Sequence, residues 1–348
     1  MDQISYFNKT VASKDMSGYY LLKNGEYAYN KSYSVGYDFG SVKRLDRYDM
    51  GALSTLYICF GLKKHDSDFI KAYFDSLKWY REIYMISAEG ARNHGLLNVP
   101  TDEFFNTKHY IPMDSAEQRK IADFMIALEH RIEAQQSLVD NLKKYKRGLL
   151  NKVFSNTDEK IYPTVYLSEV ADFLQGLTYS PSDVANAGHL VLRSSNIQNG
   201  TLSFDDCVYV DKSIPESLQV KCADVIMCVR NGSKSLVGKT ALIPIDMPKT
   251  TWGAFMMIVR SKLNDTYIFH YLNSQMFFSQ VFKDTGTATI NQITKGILNE
   301  CRLPLPPVEE RKKISKMLST FDAKIYNAER TLYALMETRK ALLQQLFI

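Results

Sequence analysis

The feature that most constrains the fold is a segment that occurs twice along the chain. The sequence reads YIPMDSAEQRKIADFM at residues 110–125 and LPLPPVEERKKISKML at residues 303–318. Glu117 of the first copy corresponds to Glu310 of the second, 193 residues later, and no gap is needed from there to Phe154. A duplication of this kind predicts two copies of one structural unit.

Apolar residues recur in both copies at alternating steps of four and three. A seven-residue repeat held this long predicts a coiled-coil seam rather than an ordinary surface helix. Each copy would form a helix of about 39 residues, roughly 58 Å long. We expect the seam positions to pack on the other helix or on partner helices. They are Ile121, Met125, Leu128, Ile132, Val139 and Leu142 in the first copy, and Ile314, Leu318, Phe321, Ile325, Leu332 and Leu335 in the second.

The two copies also share their polar details. Each interrupts the seam with a basic residue at the same position, Lys146 and Arg339. Asp114 and Glu117 are suited to cap the first helix, and Pro307 suits the first turn of the second. Two unrelated core helices would not be expected to keep this register.

The composition fits a globular protein with room for two domains, since 45% of the 348 residues are hydrophobic. The polar N-terminus and the lack of a long apolar run predict neither a signal peptide nor a membrane span. Five cysteines without a CxxC pair suggest a reducing cytoplasm. Residues 115–153 and 308–347 each carry eight Lys and Arg against five Asp and Glu. This excess fits phosphates or an acidic partner as well as a solvated helix face.

The segments outside the helices are rich in strands and resemble each other. Residues 161–303 alternate short runs of Val, Ile, Tyr and Thr with turn signals, followed by the helical stretch TYIFHYLNSQMFFSQVF. Near the start of the chain, LLKNGEYAYNKSYSVGYDFGSVKRL resembles the second half of that segment, with Lys23 198 residues before Lys221. On this offset residues 161–198 have no counterpart, so the first domain is expected to lack its opening strands.

The sequence NGSKSLVGKT at residues 231–240 resembles a phosphate-binding loop but fails two of its requirements. Five residues rather than four separate Gly232 from Gly238. The sequence ALIPI that follows, with Pro244, predicts a strand rather than the helix whose N-terminus would hold the phosphate. The sequence therefore argues against nucleotide binding here.

The same turn has the side chains of a DNA-contacting loop. Arginine can pair with guanine and asparagine with adenine in the major groove, while lysine and serine hold phosphates. The matching stretch of the first domain has different residues with similar chemistry, as expected if the two domains recognise different DNA sequences. A surface hairpin of ordinary polar residues is the alternative. The candidate DNA-binding residues are Arg230, Asn231, Ser233, Lys234, Ser235 and Lys239 in the second domain, and Asn30, Lys31, Ser32 and Tyr33 in the first.

No catalytic or metal-binding pattern stands out. The six histidines, at positions 65, 94, 109, 130, 189 and 270, lack metal-ligand spacing. The triplet Asp158-Glu159-Lys160 resembles a nuclease fragment without its partner acids. A G-x-S-x-G elbow, a glycine-rich methyl-donor loop and an Asn-Pro-Pro-aromatic signature are all missing. The sequence therefore predicts a protein that is not itself an enzyme.

Three features resemble the specificity (S) subunit of type I restriction–modification enzymes: the repeated helix start, the two β-rich domains, and the run DVIMCVRNGS followed by VGK. The resemblance extends over nearly the whole chain. It implies an α+β fold with two target-recognition domains, 1–113 and 156–303, of which the first is incomplete. Two long antiparallel coiled-coil helices, 114–155 and 304–348, would separate them in a pseudo-twofold repeat.

The resemblance implies a non-catalytic reader of double-stranded DNA, in which each domain reads one half of a split target. The helices would dock methyltransferase (M) subunits, and restriction (R) subunits would join for cleavage. S-adenosylmethionine and ATP are then expected only in those partners, with no cofactor, metal or membrane on this chain. Two alternatives stay open: a silent or partial allele that binds methyltransferase subunits through the helices without reading a full target, and a purely structural coiled-coil scaffold.

Overall fold

The computed structural model describes residues 17–87, 97–155, 162–283 and 292–347. His94 and the triplet Asp158-Glu159-Lys160 lie outside these residues. The chain divides into two compact units, which we call the first unit (residues 1–137 with 329–348) and the second unit (138–328). Each contains one β-rich region and part of both long helices. The predicted α+β fold is confirmed, whereas the predicted domain boundaries stay predictions.

The described residues of the first unit form short strands and short helices ahead of the first long helix. The elements are β1 (Tyr20–Lys23), β2 (Tyr27–Asn30), β3 (Ser41–Arg44), β4 (Met50–Leu53), β5 (Ile58–Phe60), α1 (Ser67–Asp75), α2 (Tyr80–Ile86), α3 (Thr101–Phe105) and the long helix α4 (Ser115–Phe154). Strands β3, β2 and β5 form an antiparallel sheet in that order, and β1 pairs with β4. The sheet packs on α1 through a core that includes Tyr27, Phe69 and Trp79.

The second unit has more strands, which form two four-stranded sheets, β14-β13-β16-β7 and β15-β9-β12-β8. Its elements are β6 (Thr164–Tyr166), α5 (Leu167–Val170), β7 (Ala171–Gln175), β8 (Val184–Ala185), β9 (His189–Leu192), β10 (Ile197–Gln198), β11 (Thr201–Leu202), β12 (Val208–Val210), β13 (Val225–Cys228), β14 (Thr240–Leu242), β15 (Thr250–Trp252), β16 (Met256–Ser261), α6 (Tyr267–Leu272), α7 (Gln275–Val281), α8 (Lys295–Glu300), β17 (Arg302–Pro304) and the long helix α9 (Val308–Leu346).

One sheet has the same strand order in both units. Strands β3-β2-β5 of the first unit match β14-β13-β16 of the second, and Tyr27 at the start of β2 lies 198 residues before Val225 at the start of β13. The outer edge of β16 is paired with β7. Among the described residues no strand pairs with the outer edge of β5. Within the described residues, the sheet of the first unit therefore has counterparts for three of the four strands of the matching sheet.

A glycine with positive φ precedes the matching strands β3 and β14. Gly40 has φ +78° and Gly238 has φ +89°. A Cβ added to Gly40 would lie 2.1 Å from the Asn30 carbonyl oxygen, and one on Gly238 would lie 2.7 Å from the Phe278 ring. The positive φ and the lack of room for a Cβ atom both favour glycine at this turn.

Every predicted seam position on the long helices is buried or half-buried, as the seven-residue repeat requires. In the first unit, Ile121 and Met125 of α4 share a core with Leu343 of α9 and with Phe347, the residue after this helix. In the second unit, Leu150 and Phe154 of α4 share a core with Ile314 and Leu318 of α9, which is the same arrangement with the helices exchanged.

The basic residues that interrupt the seam bind acids on the opposite helix. In the first unit, Arg339 of α9 lies 2.7 Å from Glu129 of α4 and 2.9 Å from Asp75 of α1. In the second unit, Lys146 of α4 forms an ion pair with Asp322 of α9. Lys146 and Arg339 are 193 residues apart in sequence, and so are Glu129 and Asp322. In the first unit, Glu129 follows Met125 on α4 while its partner Arg339 precedes Leu343 on α9, and in the second unit Lys146 precedes Leu150 while Asp322 follows Leu318. The two helices therefore run antiparallel within each unit.

The repeated junction at each helix start also has a structural role. Gln118 of α4 donates from Nε2 to the Pro112 carbonyl at 2.6 Å, and its Oε1 accepts from the Asp66 backbone N–H at 2.8 Å. Asp66 is the N-cap of α1. The residue that corresponds to Gln118 in the second copy is Arg311, which binds Asp265 at 2.7 Å, just before α6. Each junction therefore fixes the start of a long helix to the start of a shorter helix of the same unit, α1 in the first unit and α6 in the second.

Candidate nucleic-acid interface

The turn predicted to contact DNA connects β13 to β14 in the second unit. Its ends are closed by two backbone hydrogen bonds of 2.8 Å between Cys228 and residues 238–239. Lys234–Leu236 forms a single 3-10 turn between them. The chain then enters strand β14, not a helix, so the expected absence of a phosphate-binding loop agrees with the local structure. Burial raises the pKa of the Cys228 thiol, which keeps this position at the base of the turn uncharged.

Arg230 is exposed at the start of the turn. Its guanidinium carbon lies 5.3 Å from the centroid of the Phe255 ring, which is within the range of a cation–π contact. Phe255 is itself 59% exposed. The backbone N–H groups of Val229 and Arg230 both donate to the Phe255 carbonyl, at 3.0 and 3.1 Å. These bonds fix Arg230 beside an open aromatic ring.

The other predicted residues of the turn differ in exposure. Asn231 is half-buried, because its Oδ1 accepts from the Ser233 N–H at 2.9 Å and its Nδ2 donates to Ser194 Oγ at 3.2 Å. Ser233 and Ser235 share a hydroxyl hydrogen bond of 2.9 Å. Lys234 is fully available to solvent, and Lys239 is half-buried. Arg230, Lys234 and the two serines can therefore reach a ligand, whereas Asn231 mainly joins the turn to Ser194.

A cleft of about 740 Å³ lies beside this turn. Arg230 and Asn231 line one part of it, and the loop that follows β9 lines another. Sequence reasoning did not single out this loop as a binding element. A cluster of polar residues directly after a strand was the signal that could have identified it. The residues of the cleft that were not predicted include Tyr179, Arg193, Ser194, Ser195, Asp206 and Phe255.

Asn196 holds the loop after β9 in place. Its Oδ1 accepts from the Arg193 N–H at 2.9 Å, and its Nδ2 donates to the carbonyls of Ser203 and Asp206, both at 3.0 Å. Arg193 Nη2 binds the Asp206 carboxylate at 2.8 Å. Within the part of the chain that the structure describes, the buried Arg193 Nε and Ser195 Oγ have no hydrogen-bond partner.

The predicted residues of the first unit lie together on the loop that follows β2. Asn30 Oδ1 accepts from the Ser32 N–H at 3.0 Å, and the Lys31 carbonyl accepts from the Leu97 N–H at 2.9 Å. Tyr33 is 57% exposed, and its neighbour Val35 is more exposed still. This loop therefore presents an aromatic and an apolar side chain, whereas Asn30 is engaged by its own backbone.

In the described ranges, no group of three His, Cys, Asp or Glu residues could hold a metal ion. The helices within those ranges are also too short or too polar to cross a membrane.

The family model of the type I restriction modification DNA specificity domain matches residues 162–336, which is half of the chain. The chain belongs to this family. The matched range covers both the cleft and the turn at residues 230–239, together with most of helix α9. The resemblance inferred from the repeated junction is therefore confirmed at the level of the family.

Curated relatives are specificity subunits of type I restriction enzymes. The StySPI subunit of Salmonella potsdam is 29% identical over 173 residues, which are 47% of this chain and 37% of that protein. The EcoKI subunit of Escherichia coli K12 is 29% identical over 166 residues, 46% and 36% of the two chains. The MjaVIII subunit of Methanocaldococcus jannaschii is 25% identical over 274 residues, 72% and 62%. The first two matches span little more than a third of each relative's length.

Solved structures of this family have the same fold. The type I restriction–modification S subunit from M. genitalium superposes with a TM-score of 0.59 at 16% identity, covering 94% of this chain and 84% of that one. A chain from a structural study of type I R-M complex assembly gives a TM-score of 0.60, also at 16% identity, covering 93% and 82%. At this identity the likeness concerns the fold alone.

Proposed function

We propose that this chain is the DNA-reading specificity subunit of a type I restriction–modification complex. The observation that supports this most directly is the exposed turn at residues 230–239 in the part of the chain that the family model matches. Arg230 is held beside Phe255, and Lys234 extends into solvent from the same turn. A guanidinium can read a base edge, and an ammonium can hold a phosphate.

The first unit would read the other half of a split target through the loop that contains Lys31, Ser32 and Tyr33. Among the described residues, the sheet of the first unit has three strands where the matching sheet of the second unit has four. We therefore expect the second unit to discriminate more strictly between sequences than the first.

The long helices would hold the partners. Several large apolar side chains on them stay exposed after the helices have packed, including Leu138, Tyr145, Tyr326 and Tyr333. Exposed apolar residues on a rigid helix suit a protein partner. We assign this role to methyltransferase subunits, with restriction subunits joining the same complex. The chain itself would not be catalytic, and S-adenosylmethionine and ATP would bind only to the partners. A cytoplasmic location also stays a prediction from the sequence.

The test is to express the chain in cells with methyltransferase subunits encoded beside it, and to sequence the methylated DNA. The expected result is methylation at a bipartite motif that disappears when this chain is omitted. A variant with Arg230→Ala, Ser233→Ala and Lys234→Ala should lose one half of the motif. The matched control is Lys262→Ala, which removes an exposed charge from the far end of β16 in the same unit.

Methylation with the same motif in the absence of this chain would rule out the proposed function. An unchanged motif in the triple variant would show that DNA is read elsewhere on the second unit. Methyl transfer by the purified chain alone would contradict the non-catalytic role.

A further inference from the structure

The cleft beside the turn has two kinds of wall. One part is apolar and includes Leu177, Tyr179 and Val208. The other part is polar and includes Arg193 and Ser195. A concave site with mostly apolar walls and a few grouped polar atoms is typical of a site for a small planar group, and its volume of about 740 Å³ falls in the usual range. A base pair that stays stacked in a duplex presents only its edge and needs no such depth.

The entrance of the cleft has an aromatic platform. More than half of the surface of Phe255 is open to solvent, although an apolar ring of this size is normally buried. Arg230 lies over it at 5.3 Å. An open aromatic ring next to a guanidinium is the arrangement on which unstacked nucleobases rest in proteins that bind them.

The polar part of the cleft contains hydrogen-bonding atoms that have no partner among the described residues. Arg193 Nε and Ser195 Oγ are buried and lack partners among the described residues. A buried polar atom without a partner is unfavourable, so a ligand that supplied partners after a small movement of these side chains would be favoured. The edge of a nucleobase offers both hydrogen-bond donors and acceptors.

We propose that this cleft binds one nucleobase of the second half-site after it has turned out of the DNA duplex. Phe255 would stack on the base, and Arg193 and Ser195 would read its edge. The inference rests on the proposed function and extends it. It adds that one base is recognised inside the cleft, whereas the other bases are read in the groove of the duplex. A free nucleotide has the same chemistry, so the test must distinguish the two sources.

The experiment uses the full chain with its methyltransferase subunits and duplexes that carry the motif found by methylation sequencing. One base pair of the second half-site at a time is replaced by a mismatch that keeps the base of one strand. At a single position the mismatch should strengthen binding by about tenfold or more, because the cost of unpairing has been removed in advance. At the other positions a mismatch should weaken binding or leave it unchanged.

The Phe255→Ala and Ser195→Ala variants should each lose the gain at that position, and both should also bind the matched duplex more weakly than the wild type, because the base enters the same cleft. Phe255 is exposed, and the Ser195 hydroxyl has no hydrogen-bond partner among the described residues, so neither change should prevent folding. Phe204→Ala is the matched control, because Phe204 is a half-exposed phenylalanine of the same unit outside the cleft. It should keep the full gain.

As a second measurement, 5-iodouracil at the sensitive position should crosslink to Phe255 or Tyr179 on irradiation. A specific motif without any position at which a mismatch strengthens binding would overturn this inference and leave the proposed function intact. If mismatches strengthened binding at no position, and the chain bound free deoxynucleotides saturably in a way that Phe255→Ala abolished, the cleft would be a site for free nucleotides and not for a base of the DNA. Failure to find any motif would instead overturn the proposed function itself, and this inference with it.

Discussion

The Arg311 guanidinium binds the Asp265 carboxylate at 2.7 Å, with 8% and 4% of the two side chains exposed. This pair joins the start of helix α9 to the residues just before α6. Arg311 also donates to the Pro306 carbonyl, which belongs to the junction that is repeated in the sequence.

Removing one partner of this pair should destabilise the second unit strongly. Asp265→Ala leaves the Arg311 charge buried without a counter-ion, and we expect a loss of about 3–5 kcal/mol in the free energy of unfolding. Glu309→Ala is the control, since it breaks the exposed pair with Lys312 and should cost less than about 1 kcal/mol. Urea unfolding of the two variants measures the difference. Similar small losses in both would show that the junction does not fix the helix.

The seam of the long helices should be sensitive at buried positions only. Leu318 is fully buried, and truncation to Ala should cost about 2–5 kcal/mol, because a cavity replaces lost contacts. Its neighbour Met317 points away from the seam and is exposed, so Met317→Ala should change the free energy of unfolding by less than about 0.5 kcal/mol. Equal effects at the two positions would contradict the assigned register.

His270 should make the second unit sensitive to acid. Burial, followed by the charge of Lys146, lowers its pKa to about 3 from 6.5. The Asp322 carboxylate lies 3.7 Å away, but it is already paired with Lys146, so burial dominates. Because the folded pKa is below the unfolded one, the stabilisation is complete above pH 6.5 and is lost as the pH falls toward 3.

Between pH 6.5 and 5 this loss amounts to on the order of 2 kcal/mol. The side chain of His270→Gln stays neutral throughout, so the variant should be less stable than the wild type at pH 7 but lose less stability on acidification. Urea titrations at pH 7 and pH 5 test this. The same loss in wild type and variant would assign the acid sensitivity to other groups.

Arg230 and Lys234 should affect DNA binding in different ways. Arg230→Ala should reduce discrimination at one base pair by about 1–3 kcal/mol, if the guanidinium contacts a base edge. Lys234→Ala should weaken binding to all sequences alike and lower the slope of log K against log salt by about one. Binding titrations over a range of salt concentrations, on cognate and altered duplexes, separate these effects. A changed motif in Lys234→Ala would assign base reading to the lysine.

The sequence identified the features that depend on local periodicity. The seven-residue repeat predicted which faces of α4 and α9 are buried, because each seam position follows from its neighbours three and four residues away. The position of Lys146 and Arg339 was equally visible. Their acidic partners, Asp322 and Glu129, were not, since a repeat within one helix does not give the alignment between two helices.

Features that depend on distant residues were missed for the same reason. Arg193–Asn196 lies more than 30 residues before Asn231 in the sequence, and only the folded second unit brings the two together around one cleft. Phe255 was visible only as an aromatic residue ahead of a strand. Its exposure, which gives it a place in the proposed site, is visible only in the folded second unit.

Because Gln118 and Arg311 each anchor the start of a long helix, the segment ahead of the anchor can differ in length without changing how the helices align. The chain needs 42 residues to pass from Ser76 to Gln118 but only 37 from Ser274 to Arg311. These five residues do not shift the helices, because the seam on each side keeps the same register after the anchored position. Recombination between related genes could therefore exchange the segment ahead of either anchor without moving the frame behind it, provided that the incoming segment brings its own acidic helix start.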